Sequence, residues 1–154
     1  MARIITATTA IHLAEIRSLF LQYERLLGVD LSFQDFENEL ADLPGKYAAP
    51  TGALLLAVDG SETMGCVALR GLEPSVCEMK RLFVRPWRRG QGLGRTLAET
   101  VIREARSMGY STIRLDTLMT LNEAVRLYTS LGFRQIRPYY DNPLHGVSYW
   151  ELKL

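Results

Sequence analysis

A chain of 154 residues suits one domain with an interior large enough for a real core. Its 47% hydrophobic and 23% charged content is that of an ordinary globular protein, and a formal charge of +1 argues against general nucleic-acid binding. The two cysteines, Cys66 and Cys77, have no metal-ligand or disulfide-framework spacing.

The opening residues lack the basic and unbroken apolar regions of a signal peptide, and no apolar stretch reaches membrane-spanning length, so a reducing cytoplasm is expected. Both cysteines lie in apolar runs and read as inert core thiols.

Arg3–Thr8 reads as a short first strand. From about Thr9, Leu13, Ile16, Phe20, Tyr23 and Leu27 recur on one helical face, which Gly28 ends; His12 belongs to the surface. Ser32 and Asp35 resemble a capping box opening a second helix, with Phe33, Phe36 and Leu40 on one side and Pro44-Gly45 closing it. Its acidic residues Asp35, Glu37, Glu39 and Asp42, with Asp30 before them, form either a solvated face or an attractor for a cationic amine.

Ala53–Val58 is a continuous apolar run typical of a buried strand, and Asp59-Gly60 signals a hairpin. Met64–Leu69 and Val76–Val84 complete an antiparallel meander, turned at Glu73-Pro74. Leu93, Leu97, Val101, Ala105 and Met108 then trace a helix that Gly109 ends. Thr112–Leu115 is a short strand, and Thr120 with Glu123 caps a last helix carrying Ala124, Leu127, Tyr128 and Leu131. Phe133–Ile136 and Val147–Leu152 are the final strands, joined by a loop holding Tyr139, Tyr140, Asp141 and His145. No repeat, linker or low-complexity stretch interrupts this order, so a single domain over residues 1–154 is expected.

The stretch Lys80–Gly94, KRLFVRPWRRGQGLG, runs from strand through glycine loop to helix N-terminus. Such a junction offers unpaired N–H groups and a positive dipole end to a phosphate. A Walker A loop needs Lys-Ser/Thr after its last glycine, but Arg95-Thr96 stand there. A dinucleotide loop needs G-x-G-x-x-G straight off the strand, whereas the glycines here fall at 90, 92 and 94. Asp116 at the end of the next strand does imitate a ribose-binding acid, which keeps an NAD(P)-dependent oxidoreductase as an alternative.

Arg89-Gly90-Gln91-Gly92-Leu93-Gly94 resembles the R/Q-x-x-G-x-G/A loop of the GNAT superfamily of N-acetyltransferases. Asn122 to Phe133, with its Tyr-x-x-x-Gly-Phe ending, resembles that family's second signature, and the order of elements is similar too. The resemblance implies an α/β, mainly antiparallel mixed sheet of about seven strands with four flanking helices, splayed between the fourth and fifth strands.

It further implies acetyl-CoA as co-substrate, no metal, and transfer to a primary amine of a small or amino-acid-like acceptor within a ternary complex. Arg89, Gly90, Gln91, Gly92, Leu93, Gly94 and Arg95 would hold the pyrophosphate, Leu82, Phe83 and Val84 would pair with the pantetheine arm, and Asn122 would touch the cofactor. Tyr128 matches the proton donor to the leaving thiolate; the alternative is a core tyrosine.

Glu78 stands eleven residues before Arg89, where some members place a base, and strict strand alternation puts it on one face with Leu82 and Val84. Its other reading is an ion pair with Lys80 or Arg70. A homodimer is implied by resemblance alone, and a non-catalytic acyl-CoA sensor is the other class to separate.

Overall fold

The computed structural model describes residues 1–154. Seven strands form one sheet in the order β1-β2-β3-β4-β5-β7-β6, with β1 Arg3–Thr6, β2 Ala53–Asp59, β3 Glu62–Glu73, β4 Val76–Val84, β5 Thr112–Leu118, β6 Arg134–Ile136 and β7 Val147–Lys153. Every neighbouring pair is antiparallel except β4 and β5. No helix is long and apolar enough to cross a membrane.

Four helices, α1 Ala10–Leu27, α2 Phe36–Asp42, α3 Leu93–Ser107 and α4 Asn122–Ser130, cover the two faces. Alternate residues of the central strands feed two cores. On the α3–α4 face, Leu97, Val101 and Tyr128 pack on Leu55, Val67, Met79 and Leu115. On the α1–α2 face, Ile16, Phe20 and Phe36 pack on Leu54, Cys66 and Phe83. Each fully buried side chain of this size contributes about 1.5–3 kcal/mol.

Local chemistry departs from the sequence reading at two helix starts. Ser32–Gln34 is a 3-10 turn, Asp35 sits at φ 59, and neither caps α2 through its side chain. Thr120 does not cap α4, whose first N–H groups follow Leu121 without a side-chain acceptor. A genuine capping box stands instead at α1: Thr9 Oγ1 accepts from the His12 N–H at 3.1 Å, and His12 Nδ1 accepts from the Thr9 N–H at 3.4 Å. The imidazole thus does the work usually given to Glu or Gln.

One backbone irregularity positions everything that follows. Between Cys66↔Phe83 and Ala68↔Lys80 the β3–β4 register slips, so β4 carries one extra residue there. Arg81 takes φ 61, a conformation an L residue adopts only at a cost. Such a bulge bends a strand and reverses which residues face each side. Before it, Cys77 and Met79 face α3; beyond it, Leu82 and Val84 do. Glu78 therefore lies on the opposite face from Leu82 and Val84, contrary to strict alternation.

The Arg81 side chain is anchored where it emerges. Its Nε and Nη2 each donate to Glu39 at 3.0 Å, both side chains are buried, and the guanidinium lies 5.1 Å from the centre of the Phe36 ring. Lys46 adds a second cation 3.1 Å from Glu39. The acidic run of α2 is thus not one solvated face: Asp35, Glu37 and Asp42 are exposed, while Glu39 turns inward.

Burial alone would raise the Glu39 carboxyl, but the hydrogen bonds and charge of Arg81, helped by Lys46, hold it below its ordinary 4.5. Glu39→Ala leaves Arg81 buried without its counterion and should cost about 3–5 kcal/mol in urea unfolding. Because the folded carboxyl is the stronger acid, its contribution is complete above pH 4.5 and disappears as pH falls through the folded value. The unfolding midpoint of the wild type should therefore drop with acidification in that range more steeply than that of Glu39→Gln.

Candidate active site

The parallel ladder between β4 and β5 covers only Val76–Glu78 against Thr112–Arg114. Both strands continue, to Val84 and Leu118, but without pairing, so the sheet splays open beyond Glu78. The β4 edge there presents backbone polar groups with no neighbouring strand, and buried backbone groups require partners.

At the wide end of the splay lies a groove of about 600 Å³ between β4, the glycine loop and α4. Leu82, Phe83, Val84, Arg89, Gly90, Gly92, Leu93, Gly94 and Asn122 all line it. Gly90 and Gly92 have φ 81 and 77, turning the loop so that α3 begins facing the groove. Gly92 is the N-cap and no side chain caps α3, which leaves the first N–H groups of the helix available to an anion.

The arginines divide. Arg88 lines the groove but is paired with Glu62, and lies 3.7 Å from Asp59. Exposed Arg89 donates to the Val84 carbonyl at 3.0 Å, its guanidinium 5.8 Å from the centre of the Phe83 ring. Arg95 points instead to Ser130 on α4, and neither it nor exposed Gln91 belongs to the groove lining. Trp87 is 65% exposed and donates to Glu62.

The groove continues inward: Tyr23, Leu82, Leu121 and Ala124 also line a small cleft of about 60 Å³ between the diverging strands. Tyr128 reaches this cleft from α4, packed against Phe133 with ring centres 5.8 Å apart. Its hydroxyl makes no hydrogen bond within the protein, and burial pushes the phenol well above its ordinary 10.0. At neutral pH it is therefore a neutral phenol that keeps its proton as a hydrogen-bond donor, the shift making it a weaker acid rather than a stronger one.

The opposite wall carries side chains that, apart from Asp116, the sequence did not single out as a site. Lys80, Arg81, Gln34, Asp116 and Asn142 all line the cleft. Lys80 Nζ donates to Gln34 at 3.0 Å and lies 3.8 Å from Glu78. Burial draws its ammonium down from 10.5 to about 8, against the pull of the Glu78 charge. Asp116 accepts from the Tyr140 hydroxyl at 2.5 Å and from Asn142 at 3.5 Å. Its strand runs on to Leu118, so it is not the terminal acid that a ribose would need.

Glu78 itself is 0% exposed and has three claimants. Arg70 donates at 2.8 Å, the Tyr139 hydroxyl at 2.5 Å, and Lys80 stands beyond. Burial opposes its ionisation, yet the charges of Lys80 and Arg70 and these hydrogen bonds together bring the carboxyl below 4.5. A carboxylate so held is a weak base. The late loop also divides, with Tyr139 and Tyr140 turned onto this wall while Asp141 and His145 are exposed.

The loop geometry makes one test specific. Alanine at position 92 must take φ 77, at a cost of about 1–2 kcal/mol, whereas Gly94 lies within α3 and needs no left-handed conformation. Gly92→Ala should therefore weaken calorimetric binding of CoA more than Gly94→Ala does.

Comparison with known proteins agrees with this geometry. The model of the Acetyltransferase (GNAT) family matches residues 13–133. An uncharacterized N-acetyltransferase of Schizosaccharomyces pombe is 44% identical over 144 residues, which cover 92% of this chain and 88% of that protein. An acetyltransferase structure from Streptococcus agalactiae superposes with a TM-score of 0.83 at 22% identity, covering 99% of this chain and 98% of its own. One from Salmonella typhimurium, solved with its cofactor acetyl-CoA, has a TM-score of 0.70 at 19% identity, with coverages of 99% and 93%. Splayed sheet, glycine loop and matched sequence together identify the chain as a member of the GNAT family of N-acetyltransferases.

Proposed function

We propose that this enzyme transfers an acetyl group from acetyl-CoA to the primary amine of a small acceptor, by direct attack in a ternary complex. The observation that carries the reading is the continuity of the groove at the α3 N-terminus with the cleft beside Tyr128, along an unpaired edge of β4. Acetyl-CoA supplies an acyl group activated as a thioester. The fit rests on complementary parts: free helix N–H groups for a pyrophosphate, and free strand groups for the amide-rich arm.

In this reading the loop from Arg89 to Gly94, with Asn122, binds and orients the co-substrate, and Arg95 braces the loop against α4 through Ser130. The backbone of Leu82–Val84 aligns the arm and offers preorganised N–H dipoles where negative charge develops, usually the largest contribution in acyl transfer. Tyr128 donates the proton that the departing thiolate requires.

The amine must lose a proton on the α1–α2 side, where Asp116 lines the cleft. Glu78 acts at one remove, as a positioning residue: it holds Tyr139 and Lys80 in place and keeps negative charge on that wall. Direct attack suits a cleft whose lining holds no cysteine. Cys66 and Cys77 are buried in the sheet, and burial raises both thiols, to about 12 for Cys77, leaving little nucleophilic thiolate.

Thermal shift with acetyl-CoA, CoA, NADH and ATP provides the first test. Ligand at roughly tenfold excess over Kd should stabilise by about 1.4 kcal/mol. The reading requires this from the CoA species, and stabilisation by NADH alone would overturn it. Thiol release with a panel of amines then separates an enzyme from a sensor. Tyr128→Phe should lower kcat by about a hundredfold while leaving acetyl-CoA affinity near that of the wild type. A variant with unchanged kcat would return Tyr128 to the core.

A further inference from the structure

The acceptor-side wall has a surplus of positive charge. Four cations converge on two carboxylates there: Arg81 and Lys46 on Glu39, and Arg70 and Lys80 on Glu78. Glu39 is taken by the two-point contact with Arg81, and Glu78 by Arg70 and the Tyr139 hydroxyl.

Lys80 is left with a neutral amide at 3.0 Å and a carboxylate 3.8 Å away that is already engaged. Only one of its three N–H donors has a close acceptor, although its side chain is 6% exposed. A buried ammonium in this state is only partly matched, because Glu78 is shared with Arg70 and Tyr139 and Asp116 acts on it without a hydrogen bond, and burying an incompletely matched charge is costly. It also lines the cleft, so a better-placed anion can arrive with a ligand.

On the same wall stands one carboxylate of opposite sense. Asp116 lines the same space, held by Tyr140 and Asn142. A cation and a carboxylate lining one cleft complement a molecule bearing an anion and an ammonium together. They do not suit a simple polyamine, which would meet Lys80 as a like charge. They do not suit the N-terminus of a peptide either, where an amide replaces the anion.

We infer that the acceptor is an amino-acid-like amine whose free carboxylate binds Lys80, beside Gln34, while its amino group lies toward Asp116 and the unpaired β4 edge. The inference rests on the acetyl-transfer reading of this cleft and names the acceptor class within it. Its chemistry reverses what the exposed acids near α2 suggest, because the one acid that turns inward, Glu39, is already neutralised. The drop of the Lys80 ammonium toward about 8 is consistent with an empty anion site.

The test is a matched panel at saturating acetyl-CoA, with thiol release as readout. Each α-amino acid is compared with its primary amide and its decarboxylated amine. The wild type should favour the free acid over the amide by at least about tenfold in kcat/KM, in keeping with a charge-assisted hydrogen bond. In Lys80→Met, which fills similar space without charge, this ratio should collapse to about one, through a raised KM for the acid. Equal use of acid and amide by the wild type, or a ratio that survives in Lys80→Met, would overturn the carboxylate assignment while leaving acetyl transfer standing. If no amine releases thiol and acetyl-CoA gives no thermal shift, both readings fall together. The wild-type comparison is informative even if the variant folds poorly.

Discussion

Much of this structure depends on the buried pair between Arg81 and Glu39. A non-glycine residue at φ 61 inside a strand is held against its own preference, and the holding group is a two-point ion pair shielded from water. Buried pairs of this kind are seldom better than apolar packing for stability alone. Here the pair fixes a geometry. It keeps the extra residue of β4 in place, and with it the change of face that sends Leu82 and Val84 toward the groove beside the glycine loop. The thiol of Cys66 adds a weak donor to the Arg81 carbonyl at 3.3 Å, so the bulged peptide is held from the neighbouring strand as well.

From this follows a division of labour along a single strand. Residues before the bulge, Glu78 and Lys80, belong to the polar wall that α1, α2 and the late loop complete. Residues after it form the apolar edge beside the glycine loop. The same strand therefore meets both substrates of the proposed reaction, from opposite faces, in the gap where pairing with β5 has stopped. An unpaired central strand edge is normally a defect to be covered. Here it is the feature around which the groove and the cleft are joined.

The order of elements was legible in the sequence because glycine spacing and apolar periodicity are local features, and the splay was implied by the family resemblance that the two signatures carry. The sequence misled wherever geometry departed from a regular period. Nothing in Lys80-Arg81 advertises a left-handed residue, since arginine has no preference for that conformation, and so Glu78 was assigned the wrong face. Thr9 and His12 form a capping box that a search for Glu or Gln passes over. Asp116 drew attention as an imitation of a ribose-binding acid, yet its place on the polar wall of the cleft depends on Tyr140 and Asn142, two dozen or so residues later in the chain. Lys80 is charged, and charge in a sequence reads as surface; only the three-dimensional arrangement reveals that it is buried.

Gln34 and Glu39 come from one short segment, the turn before α2 and α2 itself. They grip consecutive residues of β4, Lys80 and Arg81. A ligand that draws Lys80 away from Gln34 therefore acts on the same segment that pins the bulge. Thermodynamic linkage then applies: whatever binding on one face does to the set of the bulge, the bulge returns to the affinity on that face, and by the same factor. In the proposed reaction, selecting the acceptor and shaping the cofactor edge would be two ends of one coupled equilibrium.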